Sequence, residues 1–462
     1  MGYKNFPVPL PLRKLIGPSF VILALGLGSG EIILWPYLVS NYGLGIAWGA
    51  VLGISFQFFI NMEIERYTLV KGESVFVGFK RLLKWAPWWF IFSTFIGFGL
   101  PGIVAASAKV LGALIGISNF KWTAIVMLLF IGFILSVGKT AYGMMERITK
   151  TVIMFGVPFI FILTIIASTK FGWLELAKGV VGMGSDYLFF PVGIVIATFL
   201  GAFAYSGAGG NLNLTQSIYV KEKGYGMGKY AQKISGLFGR KKMVQEIKLS
   251  GEKFELTENN IKNFKQWWRR VNLEHLLVFW LVGLISMMML MLLAYSTAYG
   301  MAGNTQGISF IINEGKILAG SLAPIVGSLF LLAVAIMLFQ TQLGVIDSTS
   351  RIMSENYALS KLGHDLKGKI NLSEIYFIFV WAQVGFGIIL FLFGIYEPKT
   401  LIILGAVINA FAMFIHIGLT SWLNYKTLPK VFQPGWIRRS ILAIIFLFFG
   451  FFSTWVLCSH LF

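Results

Sequence analysis

The residues that could do chemistry in this chain are conspicuous because their surroundings are so apolar. Glu31 ends the run Gly26-Leu-Gly28-Ser29-Gly30-Glu31, in the middle of an apolar stretch from Ile16 to Ser40. Glycines there weaken a helix and free carbonyl groups that a continuous helix would hold to itself. A second such run, Tyr205-Ser206-Gly207-Ala208-Gly209-Gly210-Asn211, interrupts the stretch Phe190 to Val220 and again ends on a polar side chain. Gly28, Ser29, Glu31, Ala208, Gly209 and Asn211 form the candidate substrate-binding set, with Glu31 and Asn211 as candidate metal ligands. Burying a charge such as Glu31 at mid-membrane costs about 2.5–3.5 kcal/mol even on insertion scales. That cost points to a cation ligand, a proton carrier, or a partner for exposed backbone amides.

Lys109, Gln340, Asp347, Arg351 and His416 are candidates for coupling or for the pathway. Lys109 is the other charged residue well inside an apolar stretch, and it either snorkels to the interface, pairs with a carboxylate, or occupies a cation position. Gln340, Gly344, Asp347 and Arg351 recur at i, i+4, i+7 and i+11, one helical stripe that could line a vestibule or hold an Asp347/Arg351 pair at the helix end. Asn409 and His416 share a face at i, i+7. Asn409 joins the candidate binding set, while His416 equally suits a hydrogen bond to a neighbouring helix.

These residues must be positioned by membrane helices. Of the 462 residues, 57% are hydrophobic and 12% charged, with mean hydropathy +0.77, too apolar for a surface kept in water. A span needs about 20 apolar residues. Eleven candidates follow: Ile16–Ser40, Leu44–Ile64, Trp88–Gly116, Trp122–Val137, Thr151–Ser168, Phe190–Val220, His275–Ala298, Leu318–Val345, Ile375–Ile395, Thr400–Trp422 and Ser440–Ser459. The first carries no convincing signal-peptide cleavage site, so it is read as a retained helix.

With a cytoplasmic N-terminus, 32 of the 38 Lys and Arg residues fall on the cytoplasmic side and five outside, Lys109 being within a span. This asymmetry orients the chain in a cell membrane with its C-terminus outside, and it accounts for the +19 net charge without nucleic acid. Residues 221–272 form a basic cytoplasmic loop, with Trp267, Trp268, Arg269 and Arg270 as an interfacial anchor. The single cysteine, Cys458, excludes an internal disulfide.

The two glycine runs align locally, Gly28-Ser29-Gly30-Glu31 against Ala208-Gly209-Gly210-Asn211, in spans five apart. An odd offset inverts the second copy in the bilayer. Residues 1–170 are thus a first inverted repeat of five spans, 171–425 a second, and 426–462 an added eleventh span. A discontinuous helix in each half, with facing half-helix ends, is how such repeats build a midplane site.

Gly17-Pro18-Ser19-Phe20 opening span one, the break eight to eleven residues later, and the Asn211-Leu-Asn-Leu-Thr-Gln-Ser217 half-helix together resemble the Nramp (natural resistance-associated macrophage protein) divalent-metal transporters. The resemblance implies an all-α polytopic protein with the LeuT-type 5+5 inverted repeat. It departs at the ligands. Typical members carry Asp-Pro-Gly-Asn in span one, where this chain reads Gly28-Ser29-Gly30-Glu31, and Met-Pro-His in span six becomes Ala208-Gly209-Gly210. Asn409 falls where the family often has a span-ten glutamine. Loss of the soft thioether argues against manganese or iron.

A secondary transporter of a divalent metal cation is the first expectation, a hard ion such as magnesium fitting oxygen-only ligation. A LeuT-fold transporter of an amino acid or organic amine, and a membrane scaffold or sensor using residues 221–272, are the alternatives. No motif for hydrolysis or group transfer stands out, so no enzyme activity and no cofactor are expected. The partners expected are a metal-ion or small-molecule substrate and the lipid bilayer, with the protein a monomer.

Overall fold

The computed structural model describes residues 3–12, 15, 17–137, 141–232, 245–363 and 366–461. Residues 233–244 of the basic loop lie outside the described residues.

Among the described residues, ten helices are long and apolar enough to cross a membrane. They are span one (Pro18–Tyr42), two (Leu44–Lys71), three (Ala86–Ile115), four (Phe120–Val137), five (Lys150–Ala167), seven (Glu258–Ala298), eight (Pro324–Lys361), nine (Leu372–Leu392), ten (Pro398–Thr427) and eleven (Trp436–Cys458). The sixth expected span is present as two nine-residue helices, Ile196–Ala204 and Thr215–Lys223, each too short to cross alone.

Several boundaries differ from the sequence expectation, each for a local reason. Span three is interrupted between Phe98 and Gly102, where Pro101 lacks an N–H and pushes the residue before it out of the helical region. Span eight starts at Pro324, a residue suited to the first helical turn, so Leu318 belongs to the separate helix Ser309–Ser321. The same helix runs on to Lys361 because its polar second half is buried against neighbouring helices. Span seven begins at Glu258, so Trp267 and Trp268 sit on a helix continuous with the span. A small antiparallel sheet pairs Gln245–Lys248 with Lys367–Ile370.

Span one is broken at Leu27 and Gly28, then resumes as a π-helical turn, Ser29–Leu34, and an α-helix, Trp35–Tyr42. In span six Gly207, Gly209 and Gly210 take φ values of 123°, 66° and 52°, a region that side chains disfavour. The two breaks meet backbone to backbone. A Cβ at Gly26 would fall on the Gly207 backbone, and one at Gly30 on the Tyr205 carbonyl.

Candidate functional site

The broken segments leave backbone groups that must be satisfied away from water, and polar side chains of other spans do so. Gln57 of span two donates to the Ala204 carbonyl (2.7 Å) and accepts from the Gly209 N–H (3.1 Å) and from Asn213 (3.0 Å). Thr341 of span eight donates to the Leu27 carbonyl at 2.8 Å. His416 Nε2 lies 3.0 Å from the Gly210 carbonyl, which can only accept. Asn409 donates to the Gly97 carbonyl (2.8 Å) and to the Tyr205 hydroxyl (2.9 Å).

Beside this scaffold lies a cavity of about 20 Å³. Its polar lining is Ser29 of span one, Tyr205 of the span-six break and Gln342 of span eight, with the backbone of Gly97 and Gly405, and Phe98 and Ile402 among its apolar walls. Gln342 also accepts from the Val104 N–H at 3.3 Å. Roughly 10–15 Å³ admits one water molecule, so in this conformation the space suits a water-sized guest. Its side-chain donors are hard oxygens, and no carboxylate lines it.

Glu31 lies two residues from Ser29 yet faces elsewhere. A Cβ built on Gly283 of span seven would sit 4.0 Å from its Oε1, with Ile54 and Leu23 also at that position. Glu31 is 0% exposed and neither carboxyl oxygen has a hydrogen-bond partner among the described residues. A carboxylate left that way costs several kcal/mol, so the group requires a proton or a cation.

Both ends of span one are tied down. Ser19 donates to Glu274 (2.5 Å) and lies 2.7 Å from His275 Nδ1, both on span seven, and Tyr225 bonds the Leu15 carbonyl. Nearby, Lys221 at the end of span six pairs with Glu355 of span eight at 3.3 Å. At the other end Asn304 and the Gly300 N–H both donate to the Ser40 carbonyl at 3.1 Å, and Lys399 reaches the Tyr37 hydroxyl at 3.1 Å.

No family model matches the sequence, and no curated protein does. Solved structures do. Three crystal structures of the Eremococcus coleocola manganese transporter, two of mutants and one in complex with an aromatic bis-isothiourea substituted compound, superpose with TM-scores of 0.66–0.67 at 13% identity. They cover 97–98% of this chain, which covers 88–90% of theirs. The chain shares the fold of these manganese transporter structures. The likeness extends along nearly the whole chain, and at this identity it speaks for fold alone.

Within that fold the sequence candidates part company. Gly28 packs on Thr341, where a Cβ would overlap its side chain, and Ser29 reaches the cavity. Ala208 and Gly209 are buried in the break, away from the cavity lining. Asn211 turns to span three, donating to Ser93 (2.8 Å) and Thr94 (3.0 Å), so its side chain and that of Glu31 contact different helices. Asn409 stands one residue behind the lining, through Tyr205. Lys109 is peripheral, 3.6 Å from Glu397 and partly exposed. Gln340 is buried on span eight. Asp347 and Arg351 pair at 3.0 and 3.1 Å, and Tyr376 donates to Asp347 at 2.6 Å, a buried network joining spans eight and nine. The residues missed from sequence, Gln57, Tyr205, Thr341 and Gln342, share one signal: a polar group in an apolar span.

Proposed function

We propose that this chain is a secondary transporter that moves a small, hard cation by alternating access through the cavity at Ser29, Tyr205 and Gln342. The observation that carries the reading is the pairing of an oxygen-lined, water-sized cavity at two broken helices with the unpartnered Glu31 carboxyl on the same π-helical turn. Serine, tyrosine and glutamine oxygens with backbone carbonyls suit a hard ion that keeps part of its hydration. Soft metals gain nothing from them. Glu31, on the same turn, supplies a carboxyl whose buried charge needs a counter-charge, and a cation brought to the break provides one. The ties at Ser19 and Ser40 hold the two halves of span one in the closed conformation, and releasing one set opens one side. The basic loop 221–272 marks the cytoplasmic face, with the N-terminus inside and the C-terminus outside.

The absence of a carboxylate from the cavity lining favours one other reading, a small organic amine or amino acid admitted when the cavity widens. Uptake into proteoliposomes decides between them. Magnesium, manganese and calcium are compared with amino acids and amines, in wild type and in Ser29→Ala and Glu31→Gln. Divalent-cation uptake lost in both variants supports the cation reading. Organic uptake with silent metals overturns it in favour of the second.

A further inference from the structure

A positively lined surface cavity of about 530 Å³ lies outside the breaks, where span two, span eleven and the amphipathic first part of span seven converge. Its lining carries Arg66, Lys265 and Arg438 and no acidic residue. Its walls are aromatic and aliphatic, with Phe59, Trp268 and Ile441. The cations are held in place. Arg66 stacks 3.8 Å from the Trp268 ring centroid and Arg438 lies 5.0 Å from the same ring, while Asn272 accepts from Arg438 at 2.9 Å.

Behind the cavity both guanidinium groups share a single carboxylate. Glu63 Oε1 takes Arg66 (3.1 Å) and Arg438 (3.2 Å), and Oε2 takes Arg66 (2.8 Å) and Asn424 (3.2 Å). Glu63 is thereby saturated, and two arginines against one carboxylate leave positive charge unbalanced, to which exposed Lys265 adds. Apolar walls beneath a fixed cationic rim, at the ends of two membrane spans, complement a molecule with an anionic head and a hydrocarbon tail. Neither a soluble anion nor a neutral lipid uses both features.

We propose that this cavity is a binding site for an anionic phospholipid, its phosphate against Arg438 and Lys265, with buried Arg66 adding positive charge behind them, and its acyl chains along Phe59 and Ile441. Each cationic group near a lipid phosphate changes affinity about fivefold. Bound lipid would bridge span eleven to the helix leading into span seven, bracing the face from which span one opens.

The test is thermal unfolding and native mass spectrometry of the purified full chain in mild detergent. Phosphatidylglycerol, phosphatidylcholine and inorganic phosphate are each added. Phosphatidylglycerol is expected to raise the unfolding temperature and stay bound, with the other two having little effect. Lys265→Gln and Arg438→Gln should each weaken the phosphatidylglycerol response about fivefold. Equal stabilisation by phosphatidylcholine overturns the proposal, as does equal stabilisation by phosphate, which marks a soluble-anion site. An undiminished phosphatidylglycerol response in the variants also overturns it. Should Arg438→Gln fail to fold, Lys265→Gln decides alone, because Lys265 is exposed and makes no ion pair among the described residues.

Discussion

Gly30 of span one lies so close to the carbonyl of Tyr205 that no side chain fits between them. The contact joins the two broken helices at the level of the cavity, since Tyr205 lines it and Ser29 precedes Gly30. A methyl group at position 30 must push the span-six break away. Gly30→Ala is therefore expected to lower the unfolding temperature and to abolish the transport proposed above, because overpacking against backbone costs about 1–3 kcal/mol or more. Gly116→Ala is the comparison: that residue has open space, and its left-handed backbone alone should give a milder loss. Equal effects in the two variants would show that the contact with Tyr205 contributes nothing.

Thr341 and the Leu27 carbonyl make the second load on the span-one break. Thr341→Val keeps the shape and removes the donor, leaving a buried carbonyl unsatisfied at a cost of about 1–3 kcal/mol. Thr341→Ser retains the hydroxyl and should recover most of the stability. Chemical denaturation in detergent of the three proteins checks the order, and a Val variant as stable as wild type would contradict it.

The breaks were legible in the sequence because glycine runs with terminal polar residues contrast with apolar helix. What lines the cavity was not. Ser29 and Glu31 are two residues apart, and which one faces span three and which faces span seven depends on the π-helical turn between the break and Trp35. Asn211 reads as a ligand from its type, but its direction is set by Ser93 and Thr94 of span three, which hold its amide nitrogen, while its carbonyl oxygen has no partner among the described residues. Gln57 of span two carries backbone groups of span six, a relationship that spacing along one helix does not contain. The long helices were located by hydropathy, with errors at Pro101 and Pro324, where proline sets the boundary.

Asp347 and Arg351 are buried together and joined by Tyr376, so removing either partner strands a charge. Arg351→Met alone should destabilise by about 3–5 kcal/mol, whereas the double variant Asp347→Leu/Arg351→Met should lose much less. A double-mutant cycle by thermal unfolding measures the coupling. Additive losses would mean that the pair is not an energetic unit.

Glu314, on the helix between spans seven and eight, gives the protein a pH dependence of definite sign. It is buried, and burial alone pushes its carboxyl well above the usual value of 4.5. In the unfolded chain the group ionises near 4.5, while in the folded protein it stays protonated over a further range. The unfolded state therefore loses its proton first, and stability falls as pH rises above about 4.5 until the folded group ionises as well. Glu314→Gln cannot ionise and is expected to be more stable than wild type at pH 8 and to lose part of the decline between pH 5 and 8. Unfolding temperatures of both proteins at those two pH values test this. Parallel declines would place the pH dependence on other groups.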